Sequence, residues 1–261
     1  MKILVKFPTR GRPLKFLKAL NIYQQLRSTD NVDFLITIDS DDHSMLRREV
    51  INSMKLWGNL RYDIIEPSGK IGAINAGLKD VSDKYDIILL ASDDMIPQVK
   101  GYDQIIIDEM MRCYPDTDGV LWFNDGYTGK NLNTLCILGT KYFRRFGYIY
   151  HPDYKALWCD NEFMDVANMF NKQTYFDRVI IKHEHPLWTS SRGDSLNIRD
   201  NKLYKTDEQT YIRRKANAFD LTDLIPANPD ITKPEVHVRE SDTGNQPTDR
   251  KPKRRRKSSD L

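Results

Sequence analysis

Residues 85–97 read YDIILLASDDMIP, and this stretch decides the fold class. Its aliphatic run Ile87–Leu90 contains no polar residue, which is typical of a strand buried on both faces of a parallel sheet. Two adjacent carboxylates, Asp93 and Asp94, follow closely. Because ligands of open α/β sheets bind at the carboxyl ends of the strands, a binding site is expected here. The pair alone does not decide this, since a helix cap or a polar turn also explains acids after a strand.

Strand and helix patterns alternate in the sequence before this stretch. Strands separated by helical segments of about 10–15 residues indicate βαβ crossovers and a mainly parallel sheet. The predicted strands are 2–7, 32–38, 60–66 and 85–91, and the predicted helices are 13–26, 43–56 and 71–81. After residue 97 the pattern is less regular, with strands at 118–125 and 173–186, a strand leading into a short helix at 133–143, and helices at 157–170 and 205–219. The fold class predicted is therefore α/β, a mainly parallel, Rossmann-like sheet flanked by helices.

The composition separates a globular body from a different C-terminal segment. The chain has 261 residues, of which 39% are hydrophobic and 30% charged, as in soluble globular proteins. No apolar run reaches the roughly 20 residues that a membrane span needs. Residues 1–227 carry 31 basic and 31 acidic side chains, whereas residues 228–261 carry nine and six. We predict a disordered basic tail at 227–261 that is either simply solvated or contacts nucleic acid.

The three cysteines are widely spaced and form no CxxC pair. This pattern favours free thiols in a reducing compartment over a disulfide framework or a zinc site. A cytoplasmic location is therefore expected, which would be the host cytoplasm if the protein is viral.

Each of the first four predicted strands ends in polar or charged residues. At the same edge of a parallel sheet, the cations and carboxylates of these ends would face one ligand. Hard divalent ions prefer carboxylate oxygens and bridge the phosphates of nucleotides. The edge therefore suits a phosphate-bearing ligand with a divalent metal, and the side chains concerned are Arg10, Arg12, Lys70, Asp39, Asp93 and Asp94.

Four motifs in this order resemble a family-2-type glycosyltransferase of the GT-A fold. They are VKFPTRGRP (5–13), IDSDD (38–42), GKIGAINAGLK (69–79) and ASDDMIP (91–97). The resemblance continues through GTKYFRRFGYI (139–149), WCDNEFMDVA (158–167) and HEHPLW (183–188). It covers about residues 2–220, and the ordered series carries it, because no single motif is specific. The later part also resembles short glycosyltransferase-like proteins of bacteriophages.

The resemblance implies a transferase that moves a sugar from a nucleotide-diphosphate donor to an acceptor hydroxyl, with Mn²⁺ or Mg²⁺ as cofactor. The acceptor is open: a glycan, a protein or a nucleic acid. The implied organisation is one domain at 1–226, with a nucleotide-binding half at 1–97 and an acceptor-binding half at 98–226. The implied residues are Thr9, Arg10, Asp39, Lys70, Asn75 and Asp93 for the nucleotide sugar, Asp94 with His183 or His185 for the metal, and Asp160 with Glu162 nearby for catalysis.

The sequence also departs from the family pattern. Ser92 replaces the first acid of a strict DxD motif, and Cys159 replaces the first acid of the common ED motif. No QxxRW element follows, which favours transfer of a single sugar. Asp160 is expected at a helix start, where the dipole would keep it ionised, although a plain N-cap explains it too.

Two other functions remain open from the sequence. A nucleotidyltransferase of related fold would carry a Gly-rich signature after the first strand, of which PTRGRP (8–13) is a poor version. A nucleic-acid-binding protein would act through the basic tail, which the neutral body does not favour.

Overall fold

The computed structural model describes residues 1–80, 82–184, 199–200 and 202–222. Its strands form a seven-stranded sheet of order β3-β2-β1-β4-β7-β6-β8 and a two-stranded antiparallel sheet of β5 and β9. The strands are β1 (Ile3–Thr9), β2 (Val32–Asp39), β3 (Leu60–Ile65), β4 (Ile87–Leu90), β5 (Met95–Pro97), β6 (Val120–Phe123), β7 (Ile137–Gly139), β8 (Gln173–Phe176) and β9 (Ile181–His183). The tail predicted at 227–261 lies outside the described residues.

Helices cover both faces of the large sheet. They are α1 (Pro13–Leu26), α2 (Arg48–Lys55), α3 (Gly69–Asn75), α4 (Tyr102–Cys113), α5 (Thr140–Arg144), α6 (Cys159–Met169) and α7 (Tyr204–Ala216). In the described part, no helix is both long and apolar enough to cross a lipid bilayer.

The first four strands are parallel, as the alternating pattern predicts. β1 lies between β2 and β4, and β3 pairs with β2 at one edge of the sheet. β7 is antiparallel to both β4 and β6, and β8 is parallel to β6. The predicted α/β class with a mainly parallel sheet is confirmed. The carboxyl ends of β1, β2 and β4 therefore lie side by side, which is what positions the site.

The core has two layers because strand side chains alternate between the faces of the sheet. Phe7 packs edge-to-face against Phe16 of α1, with ring centroids 5.0 Å apart, in the layer that α1 and α4 cover. Leu4 and Ile88 belong to the opposite layer, which α3, α5 and α6 cover. β4 is buried along its whole length, as a central strand requires.

Three elements differ from the sequence prediction, each for a local reason. Within the segment predicted as one strand at 173–186, residues 173–183 form two strands in different sheets, because the chain turns after β8, where Asp177 accepts hydrogen bonds from Asn124 and Tyr175. Residues 185 and 186 lie outside the described residues. α2 begins later than residue 43, because the Asp42 side chain holds residues 44 and 45 in a turn. α3 ends at Asn75, before Gly77, whose φ is +73°. The sequence interpretation assigned no helix to 102–113, where α4 lies.

Candidate active site

A cavity of about 590 Å³ opens at the carboxyl edge of the parallel strands. This volume is typical of small-molecule sites. The ends of β1, β2 and β4 form one wall, and the start of α6 and the loop before it form another. The predicted residues that line it are Thr9, Arg10, Asp39, Lys70, Asp93, Asp94, Asp160 and His183.

Asp39 ends β2 and is buried in the wall of this cavity. Its Oδ2 accepts a hydrogen bond from Nη1 of Arg10 at 2.5 Å, and the same guanidinium binds both carboxylate oxygens of Asp41. Hydrogen bonding to Arg10 lowers the pKa of Asp41. Within the described residues, no group donates a hydrogen bond to the buried Oδ1 of Asp39. A ligand N–H would satisfy this oxygen, because a buried unpaired acceptor is costly.

The two adjacent acids after β4 have different partners. Asp93 lies 3.1 Å from Nη1 of Arg12, and burial raises the pKa of this carboxyl. Asp94 accepts a hydrogen bond from the Ser92 hydroxyl, and its Oδ1 lies 3.7 Å from Nε2 of His183. The pairing of β5 with β9 brings His183 here, because it sets Met95 opposite that residue. The acids thus face a guanidinium and an imidazole, respectively.

The spacing of Asp94 and His183 is compatible with a divalent ion, and these two side chains are the candidate ligands in the described part of the chain. Ligands about 2.0–2.2 Å from one ion lie about 3–4 Å apart, so the 3.7 Å separation is compatible with shared coordination. No cluster of three or more carboxylate, imidazole or thiol side chains suitable for a metal occurs in the described ranges. Mg²⁺ commonly keeps several waters and uses substrate phosphates with one or two carboxylates, so a two-residue site suffices. The other predicted metal ligand, His185, lies outside the described residues.

Asp160 lies in the first turn of α6 and lines the cavity. Burial of Asp160 outweighs the lowering of its pKa by the backbone N–H groups at the helix start, which is the effect expected from the sequence. Burial raises the pKa, and the positive charge of Lys70 offsets it only in part. Lys70 lines the same cavity, and its Nζ lies 4.0 Å from Oδ2 of Asp200. A partly desolvated carboxylate beside a lysine is well suited to accept a proton.

Glu162 does not reach this cavity, contrary to its prediction as a catalytic residue. It is two residues after Asp160, about 200° around the helix. There its carboxylate is buried, accepts two hydrogen bonds from Arg214 at 2.7 and 2.9 Å, and accepts one from the Tyr154 hydroxyl at 2.8 Å. Glu162 is therefore part of the packing between α6 and α7.

Asn75 is also absent from the described lining of the cavity, although it was predicted to contact the nucleotide. Its amide nitrogen donates to the carbonyl of Tyr150 at 2.7 Å, and its oxygen accepts from the backbone N–H of Ile149 at 3.0 Å. Because both sides of the amide are used, Asn75 joins the end of α3 to the segment that leads toward α6.

Three further residues line the cavity, and of these the sequence analysis named only Arg12, as one of the charges at the strand ends. The structure pairs Arg12 with Asp93. Asp200 lies near Lys70 although the two are more than a hundred residues apart in the sequence, and no local sequence pattern predicts this contact. Trp158 lines the cavity with a left-handed backbone, φ +61°, which is uncommon for a bulky residue.

Comparisons with known proteins support the fold assignment. No profile of a known protein family matches the sequence, and no curated protein matches it. Among solved structures, the chain resembles the mannosyltransferase PcManGT from Pyrobaculum calidifontis, solved in complex with GDP-Man and Mn²⁺. The TM-score is 0.55 at 13% identity, over 70% of this chain and 56% of that one.

A second similar structure is residues 1–349 of S. aureus TarS in complex with UDP-GlcNAc. The TM-score is 0.57 at 14% identity, over 76% of this chain and 61% of that one. This chain thus spans less than two thirds of either matched structure. The GT-A type of fold, which the ordered motifs predict, is confirmed.

Proposed function

We propose that this protein is a metal-dependent glycosyltransferase that moves a sugar from a nucleotide-diphosphate donor to an acceptor hydroxyl, with inversion at the sugar carbon. One observation carries the proposal: two carboxylates with different surroundings, Asp94 after β4 and Asp160 at the start of α6, line one cavity in a GT-A fold. The proposed domain is 1–226, with donor binding in 1–97 and acceptor binding in 98–226. The role of the tail at 227–261, the phage-like character and the cytoplasmic location stay predictions.

The donor nucleotide would bind against the ends of β1 and β2. The unpaired Oδ1 of Asp39 would accept a hydrogen bond from a base that carries a ring N–H, as uracil and guanine do. The two similar structures were solved with GDP-Man and UDP-GlcNAc, whose bases both have this donor. We therefore expect a UDP- or GDP-sugar, with Thr9 beside the nucleotide and Asp93 held by Arg12 near the ribose.

Asp94 and His183 would hold Mn²⁺ or Mg²⁺, and the bound ion would supply positive charge for the departing diphosphate. The Mn²⁺ in the PcManGT structure supports this choice of cofactor. Lys70, on the other side of the cavity, adds a fixed cation for the phosphates.

Asp160 would act as the general base that takes the proton of the acceptor hydroxyl. Its raised pKa makes it a stronger base than an ordinary aspartate, and Lys70 favours the ionised form that the step requires. The acceptor, whether a glycan, a protein or a nucleic acid, would approach from the α6 wall.

A donor screen tests the proposal. The full chain is incubated with UDP- and GDP-sugars and Mn²⁺, and release of nucleotide diphosphate is measured alongside nucleotide binding. Asp94→Ala should abolish metal-dependent binding of UDP or GDP, whereas Asp108→Ala, an exposed carboxylate on α4, should not. The proposal is wrong if no donor gives release of nucleotide diphosphate and no donor shows metal-dependent binding. Release of pyrophosphate from a nucleoside triphosphate would favour a nucleotidyltransferase instead.

A further inference from the structure

The loop that ends at Trp158 has no regular secondary structure, yet it forms the wall next to Asp160. One carboxylate holds its backbone. Asp207, in the first turn of α7, is completely buried. It accepts hydrogen bonds from three consecutive backbone N–H groups, and these belong to Lys155 at 3.0 Å, Ala156 at 2.8 Å and Leu157 at 2.8 Å.

The same helix also holds α6. Arg214 is two turns after Asp207, so both side chains leave α7 on the same face. Its guanidinium binds both carboxylate oxygens of Glu162 and also the carbonyl of Phe219 at 3.1 Å. The loop before Asp160 and the helix that carries it are therefore attached to one face of α7.

The backbone at Trp158 indicates that this attachment imposes a shape on the loop. A left-handed conformation at a bulky residue is strained and persists only where the surroundings determine it. The indole packs against two rings of α7, with centroids 5.5 Å from Tyr204 and 5.1 Å from Tyr211. This conformation comes directly before α6, and the direction in which the helix starts depends on it.

We propose that Asp207 is a positioning residue for the transfer reaction. It fixes the loop 155–158, and through this loop it sets the place of the Asp160 carboxylate in the cavity. The inference rests on the proposed function, in which Asp160 is the general base. Asp207 does not line the cavity in the described part of the chain, so its effect on the reaction is indirect.

A purely structural role for Asp207 makes a different prediction. If the carboxylate only stabilised the fold, its loss would lower the fraction of folded protein, and the folded molecules would keep their turnover. A positioning role instead lowers the turnover number of the folded molecules. Donor binding should stay unchanged, because in the described part of the chain the side-chain hydrogen bonds of Asp207 go to the loop and not to the strand ends proposed to bind the nucleotide.

The test uses Asp207→Asn in the full chain, with Asp165→Asn as matched control. Asp165 also joins α6 to α7, through Tyr211 at 2.7 Å and Lys215 at 2.8 Å, but it does not touch the loop. For both variants we would measure nucleotide affinity, kcat, donor KM and amide hydrogen exchange at residues 155–157. For Asp207→Asn we expect faster exchange, nucleotide affinity and donor KM within about twofold, and kcat lower by about 100-fold, since misplacement by about 1 Å costs that much.

Normal kcat in Asp207→Asn, together with faster exchange, overturns the positioning role and leaves the proposed function intact. Absence of turnover in the unmodified protein overturns the proposed function and this role with it, and the exchange data would still report whether Asp207 holds the loop. If Asp207→Asn does not fold, Asp207→Glu replaces it. That variant keeps the charge but moves the carboxylate by one methylene, and an unchanged kcat would count against the proposal in the same way.

Discussion

Residues 1–97 and residues 98–222 hold their site residues in different ways. In the first region, Thr9, Asp39 and the pair Asp93–Asp94 end or directly follow parallel strands, and the backbone ladder of the sheet fixes their places. In the second region, Asp160 follows an irregular loop that the side chain of Asp207 holds. One wall of the cavity thus depends on the backbone of a sheet, and the other depends on a few buried charges.

This difference indicates which region is more sensitive to amino-acid substitution. Several backbone hydrogen bonds to neighbouring strands hold each strand end, so the strand stays in place when one side chain is removed. A buried charged pair has no such reserve, because removal of one partner leaves the other charge buried without compensation. Substitutions away from the cavity should therefore disturb the second region more than the first.

The largest effect is expected where the second region meets the reaction. Asp160→Asn removes the proposed base and keeps the shape of the side chain, so the nucleotide binding proposed for the first region should persist. We expect kcat to fall by about 10²–10⁴-fold, the usual contribution of general acid–base catalysis. Because burial raises the pKa of Asp160, the rate of the unmodified protein should fall as the pH falls through that raised pKa, at a higher pH than for an ordinary aspartate.

Asp153→Asn is the matched control for this change. It is seven residues earlier, lies largely in solvent beside Arg213 and His151, and is not in the described lining of the cavity. If Asp160→Asn keeps the full rate, Asp160 is not the general base. The comparison between the two regions would then concern structure only.

The next effect concerns the buried pair of α6 and α7. Arg214→Met leaves the carboxylate of Glu162 buried without its guanidinium, which should cost about 3–5 kcal/mol of unfolding free energy. Arg213→Met, one residue earlier, removes an exposed pair with Asp153 and should cost about 0–1 kcal/mol. Denaturant unfolding measures both variants. Equal losses would mean that burial of the pair does not matter.

The last prediction concerns the first region, which contains a buried lysine. Lys6 lies in the middle of β1, fully buried, and its Nζ donates to the carbonyl of Ala76 at 2.7 Å. Burial lowers the pKa of Lys6 to about 7. Between this value and about 10.5, the unfolded chain holds a proton that the folded protein lacks, so stability should rise with pH by up to about 1.4 kcal/mol per pH unit.

Lys6→Met should remove this dependence, while Lys18→Met, an exposed lysine on α1, should keep it. Unfolding by urea at several pH values between about 7 and 10 measures the slope. An unchanged slope in Lys6→Met would assign the dependence to other groups. Since the sheet holds the first region, Lys6→Met should also leave nucleotide affinity unaltered.

The same contrast between the two regions explains which parts of the fold and of the site could be predicted from the sequence. Apolar runs such as Ile87–Leu90 are local signals, and they predict strands whose ends meet at one edge of a sheet. For this reason the sequence predicts Asp39, Asp93 and Asp94 at one edge of the sheet, and all three line the cavity. Glu162 and Asn75 are not in its described lining, because their partners Arg214 and Tyr150 are 52 and 75 residues away. The periodicity of a sequence gives no information about such distant pairs. The distant hydrogen-bond partner determines whether each of these side chains faces the cavity or the interior of the protein.

The position of Asp207 also has a consequence for the order in which the molecule is made. The four parallel strands are complete once the ribosome has synthesised residue 90, and the amino-terminal parts of a chain generally fold first. The loop that precedes Asp160, in contrast, must wait for a carboxylate that is translated about 50 residues later. During synthesis the nascent chain therefore passes through a stage at which one wall of the cavity exists and the other has not yet taken shape.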